Sequence, residues 1–180
     1  EYEKDHRSST AQGLAHIIRQ RYVLGCSDFD TPITQRGKEQ ARVTGKRLHE
    51  TIPAPDIVFY SPYERTCDTF FEMQQEWPEL KAAKAIEDDR IREQEHGLSL
   101  LYSDWRVFHV MHPEQKALRE MLGPYWYQYP QGESVAQVRD RTRSMTTTII
   151  RECQNQHVFM RTHHLTVLSS SANLERLTPL

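Results

Sequence analysis

Side chains that can bind an anion follow three apolar runs of the chain. The run LAHII is followed by Arg19. The run DIVFY leads into SPYERT, where Arg65 falls in the first turn of a predicted helix, and the run HVFM leads into His163. Arginine side chains match phosphate oxygens with two parallel hydrogen bonds, and helix N-termini offer unbonded N–H groups. If these groups meet, they form an anion pocket suited to phosphate.

The elements that would have to bring them together are short strands separated by helical stretches. This alternation predicts an α/β fold with three layers, in which helices cover both faces of a mostly parallel central sheet. Ligands of such sheets bind beyond the carboxyl ends of the strands. The predicted strands are Leu14–Arg19, Asp56–Pro62, a weak one in KAIED, and His157–His163.

Two helices have clear sequence signals. Residues 32–51 read as a helix that Thr34 can cap, with small residues on one face that predict close packing against a sheet: Gly37, Ala41, Gly45, followed by Leu48. Ser134 and Gln137 form a capping box that opens a second helix with one apolar face. Its basic residues spread around the helix axis and are expected to be a solvated surface: Arg139, Arg141, Arg143.

Length and composition exclude several classes of protein. The 180 residues predict one domain, 1–180, with a flexible polar leader over residues 1–12. The net charge of −2 and the absence of a long block of one sign give no case for binding nucleic acid or an anionic membrane. No apolar stretch approaches the roughly 20 residues of a membrane span. Three cysteines without a Cys-x-x-Cys spacing fit a reduced, cytoplasmic protein.

Six blocks of the sequence, in order, resemble those of the histidine phosphatase superfamily, the phosphoglycerate-mutase-like proteins. That family opens with a strand ending Arg-His-Gly, where this chain has IIRQR. The further blocks here are PITQRGKEQA, SPYERTCDT, IREQEHG, PQGES and MRTHH. SPYERT and REQEHG are most similar to the broad-range phosphatase branch. The resemblance covers nearly the whole chain and implies the same α/β fold.

The resemblance also implies roles for individual residues. In the family, the histidine of Arg-His-Gly attacks phosphorus, two arginines and a later histidine hold the phosphoryl oxygens, and a glutamate protonates the leaving alcohol. By this resemblance Arg19, Arg65 and His163 bind phosphate, and Glu93 is the general acid. Glu95 is a rival for the acid. No cofactor and no metal are implied, and the expected partner is a phosphorylated small molecule or a phosphoprotein, in an oligomeric state that the sequence leaves open.

The nucleophile position departs from the family pattern, because it is occupied by Gln20. An amide nitrogen has its lone pair delocalised into the carbonyl and cannot attack phosphorus as imidazole does, although it can donate a hydrogen bond to a phosphate oxygen. Arg21 and His164 stand where the family has glycine, and only 12 residues separate Gln20 from Ile33.

Three explanations of Gln20 stay open at this stage. The protein is a degenerate member that binds phosphate or a partner without turnover, which is the preferred interpretation. Alternatively, it is active through another nucleophile, with His163 or an activated water as candidates. In the third, the chain is altered or lacks stretches, so that Gln20 is not the equivalent of the family histidine; His6 is a poor substitute because no apolar strand precedes it.

Other groups of histidine and aromatic residues in the sequence do not predict a functional site. His109 and His112 are spaced to share a helix face but lack a third ligand, so surface histidines are expected rather than a metal site. The adjacent His163 and His164 are expected to point to opposite sides of a strand. The aromatic residues of GPYWYQYP are expected to be ordinary packing. Residues 90–130 predict loops and short helices, and substrate specificity is expected within residues 95–130.

Overall fold

The computed structural model describes residues 26–102 and 105–175 of the chain, and these residues include a three-stranded parallel sheet. Its strands are β1 (Ile57–Tyr60), β2 (Lys84–Glu87) and β3 (Val158–Arg161), in the order β2-β1-β3. Tyr60 is paired with Glu87 and with Arg161, so the three strands end at the same edge. The predicted strand Leu14–Arg19 and the leader 1–12 lie outside the described residues.

Six α-helices surround or follow these strands in the described residues. They are α1 (Gln35–Thr51), α2 (Glu64–Glu76), α3 (Trp105–Met111), α4 (Pro113–Leu122), α5 (Val135–Glu152) and α6 (His164–Leu174). Short 3-10 helices occur at Pro78–Lys81, Asp89–Ile91 and Gly97–Tyr102. Within the described residues, the helices and strands expected from the sequence are present with slightly shorter bounds.

The described chain divides into two compact units, one of residues 27–93 and 137–175 and one of residue 26 with 94–102 and 105–136. The first, the sheet unit, contains β1–β3 and the helices α1, α2 and α6 with most of α5. The second, the helical unit, contains α3, α4 and the loops around them. The single-domain prediction for 1–180 stays a prediction.

Both faces of the sheet are covered, as the continuous apolar run IVFY predicts for a buried parallel strand. On one face, Val58 packs with Ala41 of α1 and Met73 of α2. On the other, Ile57 and Phe59 pack with Met145 of α5. The sheet unit therefore has the three-layer α/β architecture that the sequence predicts.

The face of α1 that carries small residues was expected to pack against the sheet, and at one position it packs against a helix instead. The Thr34 hydroxyl accepts a hydrogen bond from the Gly37 amide at 3.1 Å, which confirms the predicted cap. A Cβ atom at Gly45, however, would lie 2.7 Å from the carbonyl oxygen of Met73 in α2. The expectation of close packing against the sheet was wrong at this position, because Gly45 admits the backbone of the neighbouring helix.

The helical unit has an aromatic core. Phe108, Tyr127 and Tyr129 are buried together, which confirms ordinary packing for two aromatic residues of GPYWYQYP, whereas Trp126 is exposed. His109 lies among them, with its ring 6.0 Å from that of Tyr127, and it is buried. The expectation of a surface histidine was therefore wrong for His109, and burial lowers the pKa of its imidazole.

In the helical unit, two glycines lie where two loops pass close to each other, and both belong to sequence blocks that resemble the family. Gly97 has a φ of +50°, and a Cβ there would lie 2.1 Å from the Pro130 carbonyl oxygen. A Cβ at Gly132 would lie 2.4 Å from the Glu95 carbonyl oxygen. The Glu133 amide donates to that same oxygen at 2.7 Å. The blocks EHG and PQGES thus require glycine because their backbones touch.

Candidate functional site

His163 is the centre of a polar cluster in the sheet unit. It follows β3 directly and caps the N-terminus of α6 with extended backbone. Its side chain is buried, with Nε2 2.8 Å from Ser61 Oγ and Nδ1 3.6 Å from Glu93 Oε2. The edge of the Tyr63 ring contacts the imidazole, with ring centres 5.0 Å apart. His164, the first residue of α6, is exposed, and because β3 ends at Arg161 the expectation that the two histidines lie on a strand was wrong.

Ser61 is held rigidly where β1 ends. Its amide donates to the Arg161 carbonyl of β3 at 3.1 Å, which continues the sheet pairing by one residue. Its carbonyl accepts a hydrogen bond from the Thr66 hydroxyl at 2.8 Å, and the same hydroxyl also contacts the Tyr63 carbonyl at 2.6 Å. These bonds fix the turn Ser61-Pro62-Tyr63 between β1 and α2. The motif SPYERT is therefore a rigid connection that sets the position of the Ser61 hydroxyl.

Arg65, in the first turn of α2, lies over the Tyr63 ring with its guanidinium carbon 4.4 Å from the ring centre. Its Nη1 donates to the Asp28 carbonyl oxygen at 2.7 Å and lies 3.5 Å from the Asp28 carboxylate. About a quarter of the side chain, 24 %, is exposed. Tyr63 therefore contacts both Arg65 and His163, and the Arg65 side chain stays partly accessible to solvent.

Glu93 follows the 3-10 helix Asp89–Ile91 and is held by contacts to its backbone. Arg141 of α5 donates from Nη1 to the carbonyls of Arg90 and Arg92, at 2.8 and 2.9 Å, and from Nη2 to that of Glu93 at 2.9 Å. The hydroxyl of Thr166 in α6 donates to the Arg92 carbonyl at 2.8 Å. The Glu93 side chain keeps 23 % of its surface exposed. The carboxylate is thus anchored through its main chain while it faces His163.

The expectation that the arginines of α5 form a solvated surface holds for Arg143, which is exposed, and was wrong for Arg139 and Arg141, which are half-buried. The reason is the position of Arg141 three residues after Val138 and four before Met145, two residues that are buried. This spacing places it on the inner side of the helix. The spacing was therefore a signal in the sequence that Arg141 faces inward. Nothing in the sequence indicated its hydrogen-bond partners, which are backbone carbonyls about fifty residues away.

Burial and positive charge lower the pKa of His163 to about 4, with burial as the first cause and Arg65, Arg141 and Arg161 as the next. The Glu93 carboxylate favours the protonated form, but these effects outweigh it. His163 is therefore a neutral imidazole at neutral pH, with one N–H and one acceptor nitrogen.

Arg161 is a buried cation of the same unit. It is 7 % exposed, stacks on Phe70 at 4.9 Å, and its guanidinium nitrogens have no hydrogen-bond partner among the described residues. Burial lowers its pKa to about 9, which leaves it charged at neutral pH. The cluster therefore combines a neutral histidine with a surplus of positive charge.

Of the predicted site residues, Arg65, Glu93 and His163 lie in this cluster. Arg19 and Gln20 lie outside the described residues. Glu95, the rival acid, belongs to the helical unit, where its amide donates to the Glu133 carboxylate at 3.1 Å. Sequence reasoning missed Ser61 and Tyr63 as neighbours of His163, although both are part of the SPYERT motif that it singled out.

Two kinds of feature are absent from the described part of the chain. Residues 26–102 and 105–175 hold no group of three or more His, Cys, Asp or Glu side chains suited to a metal ion. None of the helices described above is both long and apolar enough to cross a bilayer.

Comparison with known proteins points to the same family as the motifs. The model of the histidine phosphatase superfamily (branch 1) matches residues 20–179. The phosphoglycerate mutase-like protein AT74H of Arabidopsis thaliana is 33% identical over 141 residues, which are 72% of this chain and 48% of that protein. Phosphoserine phosphatase 1 of Hydrogenobacter thermophilus is 29% identical over 136 residues, 75% of this chain and 60% of that one. The chain thus spans about half the length of these curated relatives.

Solved structures share the fold. The Bacillus stearothermophilus protein YhfR matches with a TM-score of 0.65 and 23% identity over 84% of this chain and 70% of its own. A mycobacterial glucosyl-3-phosphoglycerate phosphatase, solved with inorganic phosphate, matches with a TM-score of 0.65 and 19% identity over 84% and 72%. From the family match over residues 20–179 together with the ordered motifs, the chain belongs to the histidine phosphatase superfamily.

Proposed function

We propose that this domain binds phosphate groups and that its turnover is impaired or lost, because Gln20 stands at the position of the phospho-acceptor histidine. The observation that carries the proposal is the cluster of Arg65, Glu93 and His163 in the sheet unit. Arg65 and His163 both contact Tyr63, and Glu93 lies 3.6 Å from His163. The buried cation Arg161 adds positive charge that favours an anionic ligand.

In this proposal each residue has a definite task. The Arg65 guanidinium and the His163 imidazole donate hydrogen bonds to phosphoryl oxygens, together with Arg19. Phosphoryl transfer depends mainly on positioning and on stabilising charge at these oxygens, so such a site can hold a phosphate ester even without a nucleophile. Glu93 is the candidate acid for the leaving alcohol, since its partly exposed carboxyl lies 3.6 Å from His163.

Gln20 removes the covalent step. The family route needs a nitrogen lone pair that attacks phosphorus and is later released by water, and the amide of Gln20 does not supply one. His163 is a poor replacement, because its Nε2 already lies 2.8 Å from Ser61 Oγ and its Nδ1 faces the Glu93 carboxylate at 3.6 Å. The ligand that fits the charge is a phosphorylated small molecule or a phosphoprotein. A cytoplasmic location belongs to the proposal and is supported by three cysteines, none of which forms a disulfide bond among the described residues.

The alternative function is that of an active phosphomonoesterase, in which a water replaces the missing nucleophile. The observation that favours it is the pairing of His163 Nδ1 with the Glu93 carboxylate at 3.6 Å, because an imidazole and a carboxylate side by side can orient and activate an attacking water. Burial lowers the pKa of His163 to about 4, which keeps the imidazole uncharged at neutral pH. This alternative would also act on a phosphorylated small molecule or phosphoprotein.

Phosphate release from an aryl phosphate separates the two functions. We expect the wild-type chain to turn over far more slowly than the 1–10³ s⁻¹ that is common among enzymes, and Gln20→His to raise the rate by at least about tenfold. Wild-type turnover within that range would instead establish the active phosphatase. A Gln20→His variant that gains nothing would show that Gln20 does not occupy the nucleophile position.

Binding is tested independently of turnover by thermal protection with vanadate or inorganic phosphate. A ligand at 100 times its Kd stabilises the folded state by about 2.7 kcal/mol. We expect Arg65→Ala to abolish this protection, because it removes the most accessible phosphate-binding cation proposed among the described residues. The matched control is Arg143→Ala, which removes an exposed arginine of the same unit. Equal protection of both variants would contradict the proposed pocket.

A further inference from the structure

The contact between Ser61 and His163 has a consequence for the proton of the imidazole. Ser61 Oγ lies 2.8 Å from Nε2, and both residues are buried, at 0 % and 7 % exposure. A neutral imidazole carries its single proton on either Nδ1 or Nε2, and the hydrogen-bond partners of the two nitrogens decide which. The Ser61 hydroxyl can act as the donor or as the acceptor of this bond.

Glu93 distinguishes the two arrangements. If Nε2 carried the proton, the lone pair of Nδ1 would face the Glu93 carboxylate across 3.6 Å, and the two negative regions would repel. If Nδ1 carries the proton, its N–H faces the carboxylate and the Ser61 hydroxyl donates to Nε2. The separation of 3.6 Å is longer than a hydrogen bond, so Nδ1–H is still able to donate to another acceptor that approaches it.

The order Ser61, His163, Glu93 also invites a reading in which Ser61 is a nucleophile. Its burial argues against this, because no part of the Ser61 residue is exposed and its backbone is fixed between β3 and Thr66. A hydroxyl in that position acts on the imidazole and does not reach a substrate.

We propose that Ser61 is a positioning residue whose hydroxyl donates to Nε2 of His163 and thereby keeps the proton on Nδ1, the nitrogen that faces Glu93. The identity of the ligand rests on the proposed function: with this proton in place, neutral His163 can donate to a phosphoryl oxygen. Without the Ser61 hydroxyl, the imidazole loses the partner that orients it and can adopt either tautomer.

The experiment is ¹⁵N NMR of the His163 imidazole in the full chain at pH 7, which reports the tautomer without any ligand. We expect wild type to show a protonated Nδ1 and an unprotonated Nε2. In Ser61→Ala we expect at least about a tenfold rise in the ratio of the Nε2–H to the Nδ1–H form, a free-energy shift of 1.4 kcal/mol. The control Ser170→Ala removes another buried serine of the sheet unit and should leave the spectrum unchanged.

A wild-type spectrum with the proton on Nε2 would overturn the proposal, and it does so even if Ser61→Ala does not fold. An unchanged tautomer in folded Ser61→Ala would overturn it as well. Titration with inorganic phosphate tests the proposed function separately. The expected tautomer combined with no phosphate binding would support the role of Ser61 and count against the phosphate pocket.

Discussion

At the scale of single residues, the cluster depends on burial as much as on residue type. His163 and Arg161 both lie beneath the surface at 7 % exposure, where burial disfavours the charged form, and of the two only His163 is uncharged at neutral pH. The family motifs name the residues Arg65, Glu93 and His163, but they do not reveal that the histidine is neutral. That property comes from burial and from cations on other elements, Arg65 of α2 and Arg141 of α5.

The neutral state of His163 predicts a specific loss of stability in mild acid. Its pKa is about 4 in the folded chain against 6.5 for an ordinary histidine, so the unfolded state takes up the proton first as the pH falls. Stability is therefore complete above about pH 6.5, falls between pH 6.5 and 4, and levels off below. Between pH 7 and pH 5 this group alone should cost about 2 kcal/mol.

Urea unfolding of wild type and His163→Gln at the two pH values measures this cost. Other groups titrate in both proteins, so the quantity to compare is the change with pH, not the stability at either pH. We expect wild type to lose about 2 kcal/mol more than His163→Gln between pH 7 and pH 5. Equal losses would mean that His163 titrates in the folded chain as it does in the unfolded one.

At the scale of elements, the sequence predicted the positions of helices and strands along the chain well, and it predicted their contacts with one another less well. Thr34 was identified as the cap of α1, and a cap needs only neighbours in sequence. The small face of α1 was identified too, but its neighbour at Gly45 is the backbone of Met73 in α2. Likewise, SPYERT was recognised as a motif, whereas the partner of Ser61 lies 102 residues away. Local patterns carry no information about such distant pairings.

Arg141 shows what one helix contributes to the segment that carries Glu93. Its three hydrogen bonds reach the carbonyls of Arg90, Arg92 and Glu93. Arg141→Met keeps a long side chain but removes all three hydrogen bonds. The partly buried carbonyls of residues 90, 92 and 93 then lose these donors. Hydrogen bonds to charged groups contribute about 1.5–3 kcal/mol each, with incomplete additivity, so we expect a loss of about 2–4 kcal/mol.

Urea unfolding measures this loss, and amide hydrogen exchange of residues 90–93 locates it. The matched control is Arg143→Met on the exposed side of α5, which should change stability by no more than about 0.5 kcal/mol. We expect faster exchange at residues 90–93 in Arg141→Met alone. If both variants behave alike, the carbonyl contacts do not hold the Glu93 segment.

At the scale of the whole molecule, the described residues contain separate cores. The sheet unit is built around Ile57, Phe59 and Met145 on one face of the sheet. The helical unit is built around Phe108, Tyr127 and Tyr129. The sequence predicted a single domain from its length, because about 180 residues commonly share one core. Composition alone does not show how apolar residues are divided among cores, since that division follows the path of the chain.

If the chain is a single domain, its two units unfold together, and shortening a core side chain in either unit tests this. Phe108→Ala in the helical unit should cost about 3–5 kcal/mol, and Met145→Ala in the sheet unit about 2–5 kcal/mol, because both side chains are 1 % exposed. If residues 1–180 unfold as one domain, each truncation lowers the midpoint of one shared transition. Amide exchange in α4 and α5 during urea unfolding reports the two units separately. Truncating a core destabilises every amide that unfolds together with that core. If Phe108→Ala lowers the exchange protection of α4 while α5 keeps its wild-type protection, the two units unfold independently.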